Sequence, residues 1–209
     1  MATHCRNGGG RIIRGQLPAQ ARVLEVQLAE ELGVSRGPVR EALRILEKWR
    51  LLRILPRRGA VVADMSAKDV VDLYEIVTPL YELLSRRTAA NWTPATLTPI
   101  YTVTEQLISC AESGDADGYY ENVLAFGRAC APVAGNPLLT EMMADFEPTL
   151  RRVHYLSRRR RVEAMPQHLE LLRRMMRHVT DREAVEAAAM IRRIADLELR
   201  AALDALTPA

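Results

Sequence analysis

The sequence predicts a mainly α-helical protein that begins with a small domain of two short helices and a β-hairpin and continues as a bundle of helices. Residues 27–46 contain two short helical patterns separated by a sharp turn. Residues 51–63 contain two short apolar runs around a basic turn, which is the pattern of a β-hairpin. After this hairpin the apolar residues recur with helical spacing only. These observations divide the chain into residues 1–65 and residues 66–209.

Length and composition allow two modest domains with apolar cores. The chain has 209 residues, of which 48% are hydrophobic. Its apolar runs fall short of the roughly 18 residues that a membrane helix needs, so we expect no membrane span. The N-terminus has no secretory signal pattern, which predicts a cytoplasmic location. The three cysteines are widely spaced and predict neither a disulfide framework nor a zinc knuckle.

Charge is unevenly divided between the two parts of the chain. Residues 1–63 carry 12 Lys and Arg against 5 Asp and Glu, whereas residues 64–209 carry 17 against 21. The first part is therefore basic and the second is weakly acidic. A basic N-terminal domain joined to an acidic one is typical of a nucleic-acid-binding domain attached to a module with another role.

The stretch from Gln27 to Leu46 predicts a helix-turn-helix. The first helical pattern ends at Gly33, where a chain leaving a helix needs a positive φ without a Cβ penalty. Ser35 follows as the expected N-cap of a second helix, which has one apolar and one basic face. In such a motif the second helix enters the DNA major groove; the alternative is an arginine-rich surface hairpin. The apolar face consists of Val39, Ala42, Leu43 and Leu46, and the basic face of Arg36, Arg40 and Arg44.

Two stretches of sequence resemble a known family. LAEELGVSRGPVREALRIL at residues 28–46 and LLRILPRRGAVVA at residues 51–63 are similar to the N-terminal domain of the GntR family of bacterial transcription regulators. This similarity covers about residues 12–65. Residues 66–206 resemble the all-helical ligand-binding FCD domain of the FadR-type branch, most clearly at Gly135–Leu139. The expected fold is a winged helix-turn-helix followed by an all-helical antiparallel bundle.

We expect six or seven helices in the bundle. Ser66 is the expected N-cap of the first, a long helix whose inner face includes Ile76 and Leu83 and which Pro79 is expected to kink. Arg50 stands where the family has the glycine that closes the recognition helix. Either Arg50 takes the left-handed conformation or that helix ends differently. The later helices are predicted at Pro94–Ser113, Ala116–Val133, Leu138–His154, Val162–Val179 and Asp181–Leu206.

The predicted DNA contacts lie at the start of the second helix and at the tip of the hairpin. Arg36 is the best candidate for a bidentate bond to guanine, and Arg40 for a base or a phosphate. Ser35 is expected to cap the helix and to contact a phosphate, and Gly37 stands where the family often has Thr. Arg44 is either a solvated charge or a further contact. The full set is Ser35, Arg36, Gly37, Pro38, Arg40 and Arg44, with Arg57, Arg58 and Gly59 at the wing tip.

The resemblance also permits a comparison of ligand positions in the second domain. Many FCD domains bind a divalent metal through one Asp and three His, and these positions fall on Val123, Gly127, His168 and Ile194. Only His168 is a metal-binding residue, and stable zinc or nickel sites need three or more protein ligands. We therefore predict no metal and no cofactor. The same four positions predict a pocket that suits an apolar or a metal-independent effector, or else a region that side chains fill. His168 itself is either a pocket residue or a partly buried helix histidine.

A second basic cluster, Arg151–Arg152 with Arg158–Arg161, is predicted to lie between two helices. A run of arginines between helices is typical of a solvated loop. The alternatives are a site for an anionic effector, a contact for an acidic face of a partner, or a supplementary DNA contact.

Together these features predict a transcriptional regulator, in the commoner case a repressor, that binds double-stranded operator DNA. We expect a homodimer, because helix-turn-helix proteins pair two half-sites about one DNA turn apart. The resemblance implies that a small-molecule effector in the helical domain changes DNA binding. The alternative is a constitutive regulator whose helical domain serves only dimerisation or protein interaction. The sequence offers no nucleophile–base pair or phosphate-binding loop, so we predict no catalytic residues.

Overall fold

The computed structural model describes residues 9–56 and 58–206, apart from the side chain of Arg159. These residues form two compact units. The first unit combines the residues up to Ser66 with Asp145–Leu156, and the second combines Ala67–Ala144 with the residues from Ser157 onward. The sequence does not predict that a distant segment joins the N-terminal unit.

The first unit contains a three-stranded antiparallel sheet in the order β1-β3-β2. Leu52 pairs with Val62 and Leu55 with Gly59, which confirms the predicted hairpin. β1 is a two-residue strand with no signal in the sequence, and its residue Val23 pairs with Ala60 of β3. The elements are β1 (Arg22–Val23), α1 (Glu25–Leu32), α2 (Arg36–Lys48), β2 (Leu52–Leu55) and β3 (Gly59–Val62), and residues 9–13 are also helical.

The helix-turn-helix forms as its pattern predicts. Gly33 ends α1 with φ 63°, in the left-handed region. The apolar face of α2 is buried, together with residues of α1, β2 and β3. Of the two alternatives for Arg50, the structure shows the left-handed conformation, with φ 55°. The amide N–H groups of Arg50 and Leu51 then donate to the carbonyls of Glu47 and Leu46, which closes the helix as a glycine would.

The second unit is all-helical, and one of its helices also contributes Asp145–Leu156 to the first unit. Along the described chain from Ala67 there are five helices instead of the predicted six or seven. The predicted loop around the arginine run is wrong, because one helix continues through these residues. Arginine is a good helix former, so the run is compatible with an unbroken helix. The helices are α3 (Ala67–Asn91), α4 (Pro94–Ser113), α5 (Ala116–Ala134), α6 (Pro137–Thr180) and α7 (Ala184–Leu206).

In the second unit α3 packs against α7 and α5, and α4 packs against α5. Pro79 lies inside α3, which continues through it. Two residues of the predicted inner face of α3 are on the outside, since Ile76 is 52% exposed and Leu83 is 40% exposed. Within residues 9–56 and 58–206, no helix is both long and apolar enough to cross a bilayer.

The segment of α6 that belongs to the first unit is bound there by side-chain contacts. Thr149 Oγ1 donates to the carbonyl of Trp49 at 2.7 Å, at the end of α2. Lys48 Nζ lies 2.8 Å from a carboxylate oxygen of Asp145. The side chain of Arg152 donates to the carbonyl of Ala63, just after β3. These contacts attach the segment to α2 and to the chain that follows β3.

Candidate functional site

The exposed end of α2 presents the predicted DNA-contacting residues. Residues 35–38 are all exposed, as are Arg40 and Arg44, while Val39 and Leu43 on the opposite face are each 2% exposed. Ser35 occupies the N-cap position with an extended backbone, but its side chain makes no capping hydrogen bond. Its hydroxyl is therefore on the surface at a helix N-terminus, a position that favours a phosphate.

Two of the three arginines on this face have acidic partners. Arg40 Nε donates to Glu25 Oε2 at 2.8 Å, which links α2 to the first turn of α1. This hydrogen bond and the charge of Glu25 raise the pKa of Arg40. Arg44 Nη1 lies 2.7 Å from Glu41 Oε1 on the same helix. The Glu25 contact orients the Arg40 side chain across the surface of the motif.

The wing tip places Arg58 in solvent, and Arg57 lies outside the described residues. Gly59 has φ 80°, and a Cβ at this position would lie 2.8 Å from the carbonyl oxygen of Val23. Only glycine fits here, because both the backbone conformation and the space exclude a side chain. The wing is tied to α2 by the amide of Ile54, which donates to Glu47 Oε1 at 2.7 Å.

The centre of the second unit contains a buried polar cluster, which consists of Tyr74, Tyr119, Tyr120, Ser157, Arg161, His168 and Glu198. Arg161 is completely buried and forms an ion pair with Glu198 of α7. Its Nε donates to Ser157 Oγ at 2.5 Å, and its Nη2 donates to Tyr74 OH at 3.0 Å. The guanidinium also lies 4.9 Å from the centre of the Tyr120 ring. The expectation of a solvated arginine loop is therefore wrong for Arg161, which belongs to the core.

His168 lies in the same cluster, where only 1% of it is exposed. Burial and the charge of Arg161 lower its pKa to about 3, so the imidazole is neutral at physiological pH. Burial raises the pKa of Tyr119, whose hydroxyl is hydrogen-bonded to His168 Nδ1. The other ring nitrogen, Nε2, lies 3.7 Å from Glu198 Oε1, which is beyond hydrogen-bond distance. His168 thus faces the carboxylate that Arg161 binds.

A small cavity of the second unit is lined by residues other than the four predicted pocket residues. A cavity of about 30 Å³ in the second unit is almost entirely apolar and has room for about one water molecule. The described lining does not include the predicted pocket residues Val123, Gly127, His168 and Ile194. Gly127 lies next to the lining residue Tyr81, since a Cβ on Gly127 would be 3.2 Å from the Tyr81 ring. The lining includes Leu84, Ile100, Phe126, Met175, Met176 and Ile191.

The residues around His168 do not fit the metal that the family resemblance implies. Val123, Gly127 and Ile194 supply no donor, and His168 Nδ1 is engaged by Tyr119. The fixed positive charge of Arg161 is paired with Glu198, the only acidic side chain described beside His168. Among residues 9–56 and 58–206, no three His, Cys, Asp or Glu side chains are grouped to hold a metal ion.

Sequence reasoning missed Arg161, Glu198 and Tyr119 as members of one cluster. A signal was present, because Arg161 and His168 are seven residues apart and therefore share one face of a helix. With a loop predicted at residues 155–161, Arg161 and His168 are not expected on the same helix, so this spacing could not be used. Glu198 lies on a different helix, so its partnership with Arg161 depends on tertiary packing.

An exposed basic helix on a helix-turn-helix, beside a wing and followed by a helical unit, is the architecture of one class of DNA-binding transcriptional regulators. The model for the bacterial regulatory proteins of the gntR family matches residues 10–62, and the FCD domain model matches residues 72–197. The chain belongs to the GntR family and carries an FCD domain.

Relatives agree with this assignment, and a solved structure shares the fold. Over 72 residues the chain is 44% identical to the HTH-type transcriptional regulator YdhC of Bacillus subtilis, covering 34% of this chain and 32% of that protein. Over 153 residues it is 26% identical to the gluconate operon transcriptional repressor of Bacillus licheniformis, covering 73% and 63%. The match thus spans less than two thirds of these relatives. The Escherichia coli McbR/YncC structure has the same fold, with a TM-score of 0.81, 21% identity, and coverage of 97% and 96%.

Replacing Glu25 with glutamine tests whether it positions Arg40. We expect the ratio of specific to scrambled-DNA affinity to fall, because glutamine can accept the Arg40 hydrogen bond but lacks the negative charge that strengthens it. Affinity for scrambled DNA should not fall, since the change removes a negative charge near the phosphates. Fluorescence anisotropy on both duplexes at matched salt measures this. Glu30→Gln, an exposed change on the same helix, is the control, and an equal ratio for both variants contradicts the role of Glu25.

Proposed function

We propose that the protein is a homodimeric transcriptional repressor that binds double-stranded operator DNA in the cytoplasm. The observation that carries this proposal is the exposed N-terminal end of α2, where Arg36 and Arg40 project from a helix whose opposite face is buried. The sign of regulation is supported by the name of the Bacillus licheniformis relative, which is a repressor.

The homodimer is supported by the geometry of DNA and by the surface of α3. Helix-turn-helix domains bind half-sites separated by about one turn of DNA, which requires two copies of α2. Ile76 and Leu83 are exposed and two helical turns apart, so they form an apolar strip on one face of α3. Sedimentation of the protein at micromolar concentration tests this state, and a monomer with or without operator DNA contradicts it.

Control by a small-molecule effector is the function that the FCD domain supports for the second unit. A second candidate is favoured by a specific observation, the buried cluster in which Arg161 is already paired with Glu198. In this candidate the helical unit is complete without a ligand, and the protein binds its operator constitutively.

The decisive experiment is a titration of duplexes from the DNA flanking the gene, each against a scrambled duplex, at several salt concentrations. Arg36→Ala should weaken operator binding by about 1–3 kcal/mol, the size of one good bidentate contact to guanine. Affinity for scrambled DNA should fall only by the small effect of removing one positive charge. Zinc and a chelator should leave both affinities unchanged.

Arg200→Ala is the matched control, because it removes the same charge from an exposed position of the helical unit. Its operator affinity should equal that of the wild type. Equal operator affinity for Arg36→Ala and Arg200→Ala would contradict the assignment of α2 as the recognition helix. Failure of the wild type to discriminate any flanking duplex from its scrambled partner would contradict the proposed function itself.

A further inference from the structure

The buried cluster of the second unit has the composition of an anion-binding site. Transfer of a guanidinium from water to a protein interior is costly unless it is paired with an anion and its donors are satisfied. Arg161 is completely buried, yet it lies among hydroxyl groups and one carboxylate. Its only described acidic partner is Glu198, which comes from α7 and is itself 5% exposed.

The guanidinium is held in one orientation by groups other than Glu198. Ser157 accepts from Nε one turn earlier on α6, and Tyr74 on α3 accepts from Nη2. The Tyr120 ring on α5 lies 4.9 Å from the guanidinium carbon. Side chains from three helices thus fix the planar guanidinium, and its Nη1 is directed at the Glu198 carboxylate. A planar guanidinium matches the geometry of a carboxylate and binds it strongly.

The imidazole of His168 faces the same carboxylate. His168 Nε2 lies 3.7 Å from Glu198 Oε1 and has no hydrogen-bond partner in the described structure. The ring is positioned from its other side by the Tyr119 hydroxyl, which is hydrogen-bonded to Nδ1. The Glu198 carboxylate thus lies between a guanidinium and an imidazole that other side chains position independently.

We infer that Arg161 and His168 form a carboxylate-binding site at the centre of the helical unit and that the chain's own Glu198 fills it. The site accepts a monocarboxylate no larger than acetate when the Glu198 side chain is shortened. With Glu198 in place, the helical unit requires neither a metal ion nor an acid ligand. This inference deepens the second candidate function, and its test uses no DNA, so that its failure and a failure of operator binding are distinguishable.

The test is chemical rescue of Glu198→Ala. This substitution removes a methylene and a carboxylate, which together have the size and charge of acetate. The variant leaves Arg161 buried without its anion, so the Tm should fall by roughly 6–20 °C. Sodium acetate should then raise the Tm in a saturable manner, because it binds only the folded state. Sodium chloride at equal ionic strength and neutral acetamide should produce no such rise.

Glu82→Ala is the matched control, because Glu82 is also a buried carboxylate of this unit with an arginine partner. Its partner Arg192 lies at 2.7 Å but has a 63% exposed side chain, so the loss of Glu82 leaves an arginine that water can solvate. Acetate should not raise the Tm of this variant above the chloride value. Wild-type protein should likewise show no acetate-specific and no zinc-specific rise in Tm.

A second measurement is made because Glu198→Ala need not fold in chloride. The variant is refolded from denaturant in sodium acetate and, separately, in sodium chloride of equal ionic strength. Recovery of folded protein in acetate only supports the inference, as does acetate rescue of the Tm. The inference is overturned if acetate neither raises the Tm nor restores folding, if Glu82→Ala responds equally, or if zinc stabilises the wild type.

Discussion

Replacing Arg161 with alanine should lower the free energy of unfolding by about 3–5 kcal/mol, which is the usual cost of removing one partner of a buried ion pair. The substitution leaves the Glu198 carboxylate in the core without its cation. It also removes the donors that bind Ser157 and Tyr74. Truncation of the side chain adds a cavity at a position with no solvent exposure. Chemical denaturation followed by far-UV circular dichroism measures the loss.

Arg160→Ala is the control, one residue away on α6. The Arg160 side chain is 54% exposed and lies 3.9 Å from Glu163, so its removal should change stability by less than about 0.5 kcal/mol. The paired change Arg161→Met with Glu198→Leu should recover most of the loss, because it removes both charges together. Equal stabilities of Arg161→Ala and Arg160→Ala would show that Arg161 is solvated, as the sequence alone suggests.

The recognition motif could be predicted because its signals are local. The positive φ at Gly33, the buried face of α2 and the exposed arginines all follow from residue types at helical spacing. Even the left-handed Arg50 is one of two outcomes that the sequence defines. Such patterns can be predicted because the residues that form the hydrogen bonds of a helix end, or the buried face of a helix, are close together in the sequence.

The centre of the helical unit could not be predicted from local patterns. Arg161 lies in a run of four arginines, which looks solvated in any local window. Its burial depends on Glu198, 37 residues later, and on Tyr74, 87 residues earlier. The same reasoning explains the missed strand β1, whose two residues are held only by pairing with β3.

The attachment of Asp145–Leu156 to the first unit also depends on distant partners. Trp49 and Thr149 are separated by 100 residues, and Ala63 and Arg152 by 89. The contacts involve backbone carbonyls, which carry no sequence signal. One continuous helix, α6, therefore contains both the residues that contact the end of α2 and three residues of the buried cluster, Ser157, Arg161 and His168.

Leu43→Ala should lower the free energy of unfolding of the first unit by about 2–5 kcal/mol, the range for a leucine truncated in a packed core. Leu43 is 2% exposed on the buried face of α2 and packs with the residues of the wing. Leu138→Ala makes the same chemical change where the side chain is 65% exposed, and it should cost less than about 0.5 kcal/mol. Thermal unfolding of the three proteins measures the difference.

The Leu43→Ala variant also tests whether the two faces of α2 have different roles. At a temperature where Leu43→Ala remains folded, its operator affinity should match that of the wild type, because the leucine lies on the face away from the exposed arginines. Arg36→Ala should show the opposite result, with normal stability and weak operator binding. If both variants lose operator affinity equally while folded, the division of α2 into a structural face and a DNA-contacting face is wrong.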